Sequence, residues 1–172
     1  MTYLNDIMKK QLAATVLIIS MPFLMVSCVS TILKEKAPTF SKEIQFKGPP
    51  SPFVKINLSV YPTWKNSKTG NVISIISDCS ENDPGTLSGL HQLITSSVEE
   101  AKILQQQQLM FKQKPALLYV TEGQLDGQPI SVRSLSFQRK NCGYVSSLSG
   151  RPTSLTADQK YFDDFNESFS FE

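Results

Sequence analysis

An uncharged apolar stretch runs from Leu12 to Val26 and ends at Ser27-Cys28, with Lys9 and Lys10 just before it. A basic start, a short hydrophobic core and a small residue at its end are the marks of a secretory signal. Spanning a bilayer takes roughly 20 apolar residues. This run is shorter, and Thr15, Ser20 and Pro22 interrupt it. The chain is therefore expected to be exported and to lose residues 1–27. What must fold is the remaining 145 of 172 residues, in an oxidising compartment. That length suits one domain with a single core.

The cysteine directly after the small residue sharpens this reading. The segment resembles a bacterial lipoprotein signal, in which the cysteine thiol is acylated and the cysteine becomes the new N-terminus. Ser27 is the usual residue before such a cysteine, Val26 is acceptable, and Met25 stands where leucine is commonest. The resemblance implies lipidation of Cys28. An ordinary signal, or an uncleaved anchor with an incidental cysteine, is the competing reading. Two acyl chains would add about 0.8 kcal/mol per buried methylene, enough for stable attachment to a leaflet. Val29 follows the cysteine. In double-membraned bacteria an aspartate there commonly retains a lipoprotein in the inner membrane. Its absence makes the outer membrane, facing the periplasm, the expected location. Met8-Lys9-Lys10 is a more typical beginning than Met1 to Ile7, whose Asp6 weakens the basic end. Translation is accordingly expected to start at Met8.

Removing Lys9, Lys10 and Asp6 from 17 basic and 15 acidic side chains leaves 15 against 14. Near-neutral charge, with the basic residues scattered, argues against a nucleic-acid partner. With Cys28 acylated, Cys79 and Cys142 remain, an even pair in an oxidising space. Neither belongs to a Cys-x-x-Cys, and His91 is the chain's single histidine. A structural disulfide is the favoured reading over a redox or metal pair. Closing a loop of about 60 residues would contribute roughly 4 kcal/mol in the chain-entropy model.

Residues 28–52 hold Pro38, Pro49, Pro50 and Pro52, and read as a tether. Ile44 and Phe46 alternate within it and could add an edge strand. From Phe53 to Val60 the apolar Val54, Ile56, Leu58 and Val60 alternate with Lys55, Asn57 and Ser59, which predicts a half-buried strand. A second strand is expected from about Trp64. Asn66 to Asn71 supplies a turn around Gly70, and Val72 to Ile76 a central strand. Asp83-Pro84 opens a helix whose apolar stripe is Leu87, Leu90, Ile94 and Val98, with His91 on its flank. Gln105 to Gln108 reads as the approach to a strand at Leu109-Met110-Phe111. Ala116–Leu125 and Pro129–Lys140 form a hairpin joined by Asp126-Gly127. A strand over Gly143–Leu148 follows. Thr156 and Gln159 have capping-box spacing for a last helix carrying Phe162, Phe165 and Phe169.

Several of these features together resemble a family. They are Trp64 before a Lys-Thr-Gly turn, a strand ending in Cys79, Leu125-Asp126-Gly127-Gln128-Pro129, Asn141-Cys142-Gly143-Tyr144, and the final phenylalanine helix. The chain is similar to uncharacterised lipoproteins of Gram-negative bacteria whose folded part is a PsbP-like α+β domain. The resemblance implies an antiparallel sheet of about five to seven strands with two main helices packed on it, over residues 53–172. PsbP is an accessory subunit of a membrane complex, and its relatives share no common active site. No catalytic residue carries over.

The functional expectation is a non-enzymatic accessory or binding protein of the envelope, attached to the bilayer through Cys28 and docking on an envelope protein. The alternative is a carrier of a small apolar ligand such as a lipid, which needs an apolar pocket of roughly 300 Å³ or more between the sheet and the helices. A hydrolase is the weakest reading: a serine nucleophile needs a base, and no Gly-x-Ser-x-Gly elbow is present. Asp78, Glu81 and Asp83 are better read as solvated or capping carboxylates than as a catalytic or metal cluster. No catalytic, cofactor-binding or metal-binding residue is expected.

Overall fold

The computed structural model describes residues 40–79 and 85–171. Cys28, the signal segment, Glu81 and the Asp83-Pro84 pair lie outside the described residues.

Seven strands form one antiparallel sheet. They are β2 (Phe53–Lys55), β3 (Thr63–Asn66), β4 (Val72–Asp78), β5 (Glu99–Phe111), β6 (Lys114–Leu125), β7 (Gln128–Arg139) and β8 (Cys142–Gly150). Their order across the sheet is β2-β3-β4-β8-β7-β6-β5. A short ribbon pairs β1 (Ile44–Gln45) with β9 (Ser170–Phe171). The helices are α1 (Leu87–Thr95), α2 (Pro152–Leu155) and α3 (Gln159–Glu167), with a 3-10 turn at Thr156–Asp158 between the last two. This is an α+β domain.

Alternation along each strand sends successive side chains to opposite faces. On β8, Tyr144, Ser146 and Leu148 share a face, and Val145 and Ser147 share the other. The first face meets α3: Ser146 donates to Asn166 Oδ1 at 2.5 Å. Phe162, Phe165 and Phe169 join Ile73, Ile75, Leu135, Phe137, Tyr144 and Leu148 in one apolar cluster there. The second face meets α1, through His91 against Ser134 and Thr121. The sheet is thus sandwiched, with the main apolar core on the α3 side. Both faces of β8 are covered, and Cys142 to Leu148 are all buried.

The Asp126-Gly127 hairpin is as expected: both residues have positive φ (51° and 71°), the geometry of a tight two-residue turn. β4 alternates buried and half-buried positions between two neighbours.

Four expectations are corrected. The predicted strand over Phe53–Val60 stops at Lys55, and its apolar face points outward, with Val54, Leu58 and Val60 all exposed. Phe53 is the buried residue instead, its ring tilted against Tyr161 with centroids 5.4 Å apart; Lys55 is exposed like Val54, so the three-residue strand does not carry the alternation through. The four glutamines are not an approach to β5 but its middle, each paired with a β6 residue. Polar side chains suit a strand at a sheet rim, where neither face needs an apolar cover. The α1 cap is Thr86, which accepts from the Gly89 amide at 3.0 Å, rather than Asp83. Thr156 and Gln159 form no capping box, because the chain between them is a 3-10 turn and α3 begins at Gln159 without a side-chain cap.

The tether assigned to residues 28–52 also ends early. Phe46 sits edge-on to Trp64, Phe165 and Phe169, with centroids 5.6–6.0 Å apart, and Ile44 is 5% exposed. Folded structure therefore begins before Phe53. Ile44 does enter a strand, but it pairs with the C-terminal Phe171 and not with the rim of the main sheet.

Candidate functional site

Cys79 and Cys142 form a disulfide. β4 and β8 are antiparallel neighbours, and Asp78 lies opposite Gly143. That register brings the next residue of one strand beside the residue preceding Gly143 on the other, with Cα atoms 4.2 Å apart. The bond ties the end of one strand to the start of its partner. It leaves Cys28 as the one cysteine of the chain outside it.

The lone histidine is more deeply embedded than its flank position on the helix suggested. His91 is 4% exposed and lies flat on Tyr119, ring centroids 4.2 Å apart. Its Nδ1 is 2.8 Å from Ser134 Oγ and its Nε2 is 3.0 Å from Thr121 Oγ1. A neutral ring donates from one nitrogen and accepts at the other, so two hydroxyls satisfy it fully. Burial pushes its pKa below the usual imidazole value.

The Ser134–His91 contact has the composition of a nucleophile and base, which sequence reasoning did not pair. A signal existed in the recurrence of serines on adjacent strands: Ser131, Ser134 and Ser136 on β7, Ser146 and Ser147 on β8. Yet Ser134 is fully buried and Thr121 is 1% exposed, so neither hydroxyl meets a solvent-borne substrate in this conformation. Of the carboxylates weighed for catalysis, Glu81 and Asp83 lie outside the described residues, and Asp78 closes β4, on another part of the sheet. The arrangement can hold α1 on a small-residue sheet face.

A second polar centre was not foreseen. Asp158 is 2% exposed and accepts from Asn66 Nδ2 (2.8 Å), Thr69 Oγ1 (2.6 Å) and Asn71 Nδ2 (2.8 Å). Asn66 Oδ1 accepts from the Lys68 amide at 2.8 Å, shaping the turn locally. Asn71 adds bonds to Ser154 through both ends of its amide. The Lys-Thr-Gly turn is thereby fastened to the start of the C-terminal helices.

Three cavities bear on ligand binding. One of about 510 Å³ opens among Glu43, Lys112, Arg139, Lys140 and Phe171. A second, about 580 Å³, surrounds the Lys68-Thr69-Gly70 turn and Leu125. The third lies between the sheet and the C-terminal helices, holds about 180 Å³ and includes Glu122 and Arg133 in its wall. A lipid carrier would need the third to be larger and apolar. Among the described residues no group of His, Cys, Asp and Glu could hold a metal ion.

The most open surface is β5. Residues 99–108 are exposed throughout, and Ile103, Leu104 and Met110 are each more than half exposed. β5 is the last strand of the sheet.

No family model and no curated protein matches the chain. Solved structures similar to it include the following two. One is the cyanobacterial PsbP (CyanoP) of Synechocystis sp. PCC 6803, with 10% identity and a TM-score of 0.52. That match covers 86% of this chain and 99% of the other. The second is PA94 from Pseudomonas aeruginosa, a protein of unknown function: 16% identity, TM-score 0.47, covering 77% and 83% of the two chains. At such identities only the fold is shared, and the domain has a PsbP-like α+β fold.

Proposed function

We propose that the chain is a lipoprotein of the cell envelope, held on a membrane by acylated Cys28 and acting through binding rather than chemistry. The observation that carries this is the cysteine arithmetic. Two of three cysteines are joined to each other, and the odd one directly follows Ser27 at the end of an apolar run. A disulfide favours an oxidising compartment, which agrees with export. The accessory role implied by the PsbP-like resemblance supports a binding function, with an envelope protein as partner and the outer membrane, facing the periplasm, as the place. The carrier alternative gains nothing from a cavity of about 180 Å³ with charged walls.

Metabolic labelling with palmitate tests the anchor. Label should enter the mature product and be absent from Cys28→Ala, which should also leave the membrane fraction. An unlabelled wild-type chain, or a Cys28→Ala chain that fractionates unchanged, overturns the proposal.

A further inference from the structure

The two rims of the sheet are treated differently. At one rim, β2 is 3 residues long and follows Pro49, Pro50 and Pro52, which blunts it against pairing with another chain. At the other, β5 is 13 residues long, and among the described residues no strand lies beyond its outer backbone groups. Exposed rims are normally protected by charge. Here the nine residues from Ile103 to Phe111 carry none. The ladder with β6 is irregular before Gln105 and regular from there to Phe111, so the uncharged part is also the regular part.

Charge is confined to the ends. Glu99, Glu100 and Lys102 stand at the start of β5, while Lys112 in the turn and Lys114 at the head of β6 lie just past its last residue, Phe111. The chain is thus net acidic where β5 begins and basic where it turns into β6, with Lys112 also 3.3 Å from the exposed Glu167 carboxylate. An antiparallel copy of itself is the complement of such a strand: each acidic end meets a basic one, and the glutamines of both copies lie side by side. A parallel copy would set like ends together. Amide side chains can bond to one another along such a seam, and opposite charges across a strand pair are favourable.

We infer that β5 pairs antiparallel with β5 of a second copy, about a two-fold axis at Gln106 that sets this residue opposite its own copy, to make one continuous sheet across a dimer. The contact is isologous and closes on itself, as symmetric dimers do. It stands apart from the anchor, and each can fail without the other.

The test uses the full acylated chain in its own membrane. Gln106→Cys and Gln107→Cys are compared on non-reducing gels with Leu93→Cys, on the exposed side of α1. A covalent dimer from at least one glutamine position, well above that from Leu93→Cys, is expected. No dimer from either, or as much from Leu93→Cys, overturns the pairing. A second experiment excludes chance collision. Gln106→Lys and Gln106→Glu are produced separately and together under differently tagged forms, and dimer is read by amine crosslinking and co-capture. Each alone should lose dimer several-fold, because like charges then face each other, while the mixture restores it. Equal dimer in all three, or loss without restoration, refutes the proposal. Membrane labelling with palmitate, run alongside, reports the anchor separately.

Discussion

Replacing Asp158 by alanine removes one acceptor from three donors at once. Asn66 and Asn71 are 1% and 0% exposed, so their amides cannot turn to water. The Thr69 hydroxyl is partly buried and can. A hydrogen bond to a charged group contributes about 1.5–3 kcal/mol net, and a stranded buried donor costs a similar amount. Three bonds to one carboxylate are not independent, and Asn71 keeps its bond to the Ser154 carbonyl. Adding the lost bonds to the cost of two buried amides left short of an acceptor, the expected loss is about 3–5 kcal/mol. With a urea slope of about 2 kcal/mol per molar, the midpoint should fall by about 2 M. Thr69→Val, which removes the partly solvated bond to Asp158 and the one that Thr69 Oγ1 accepts from the Asn71 amide at 3.2 Å, should cost about 1–2 kcal/mol. The assay is equilibrium urea unfolding followed by circular dichroism, with the slope compared among all three proteins. If Asp158→Ala cost under about 1 kcal/mol, or no more than Thr69→Val, the turn would not depend on this carboxylate and the reasoning would be wrong.

Two further predictions concern stability. His91 has a folded-state pKa below its unfolded value, so the unfolded chain binds the proton first as pH falls. Its contribution is fully present above about pH 6.5 and is lost progressively on acidification below that value. Urea midpoints at pH 7.5 and 5 should differ more in wild type than in His91→Gln, which keeps donor and acceptor but does not titrate; equal differences would count against it. The paired substitution Cys79→Ala with Cys142→Ala opens a loop spanning a separation of 63 residues, and should cost up to about 4 kcal/mol. Reduction of wild type with dithiothreitol should produce the same midpoint shift, and a much smaller one would mean that the strand pairing alone holds β4 to β8.

Local chemistry made part of this molecule legible from its residues. Asp126-Gly127 is a turn whose geometry depends on two neighbouring residues, so it was readable and the hairpin followed. Phe162 and Phe165 marked the buried side of α3, because helix periodicity is local as well, while Phe169 joins the same core from beyond the helix end. The cysteine pair was readable by elimination. The phase of β2 was not: Val54 and Phe53 are both apolar, and only Tyr161, more than a hundred positions away, decides which is covered. The glutamine strand was missed for the same reason, since a rim position excuses side chains that a central strand would not accept.

The candidate site divides along this line. The apolar run behind Lys9 and Lys10 and the odd cysteine at position 28 are contiguous residues, and the export proposed from them rests on charge, length and order without help from the rest of the chain. The embedding of His91 between Ser134 and Thr121, the grip of Asp158 on the Asn66–Asn71 turn, and the open rim at β5 arise from residues 30 to 92 positions apart or from strand order. Hydrogen bonds of this kind are set by which strand lies beside which. Register and layer order are settled only when the whole core closes, so no window of sequence contains them.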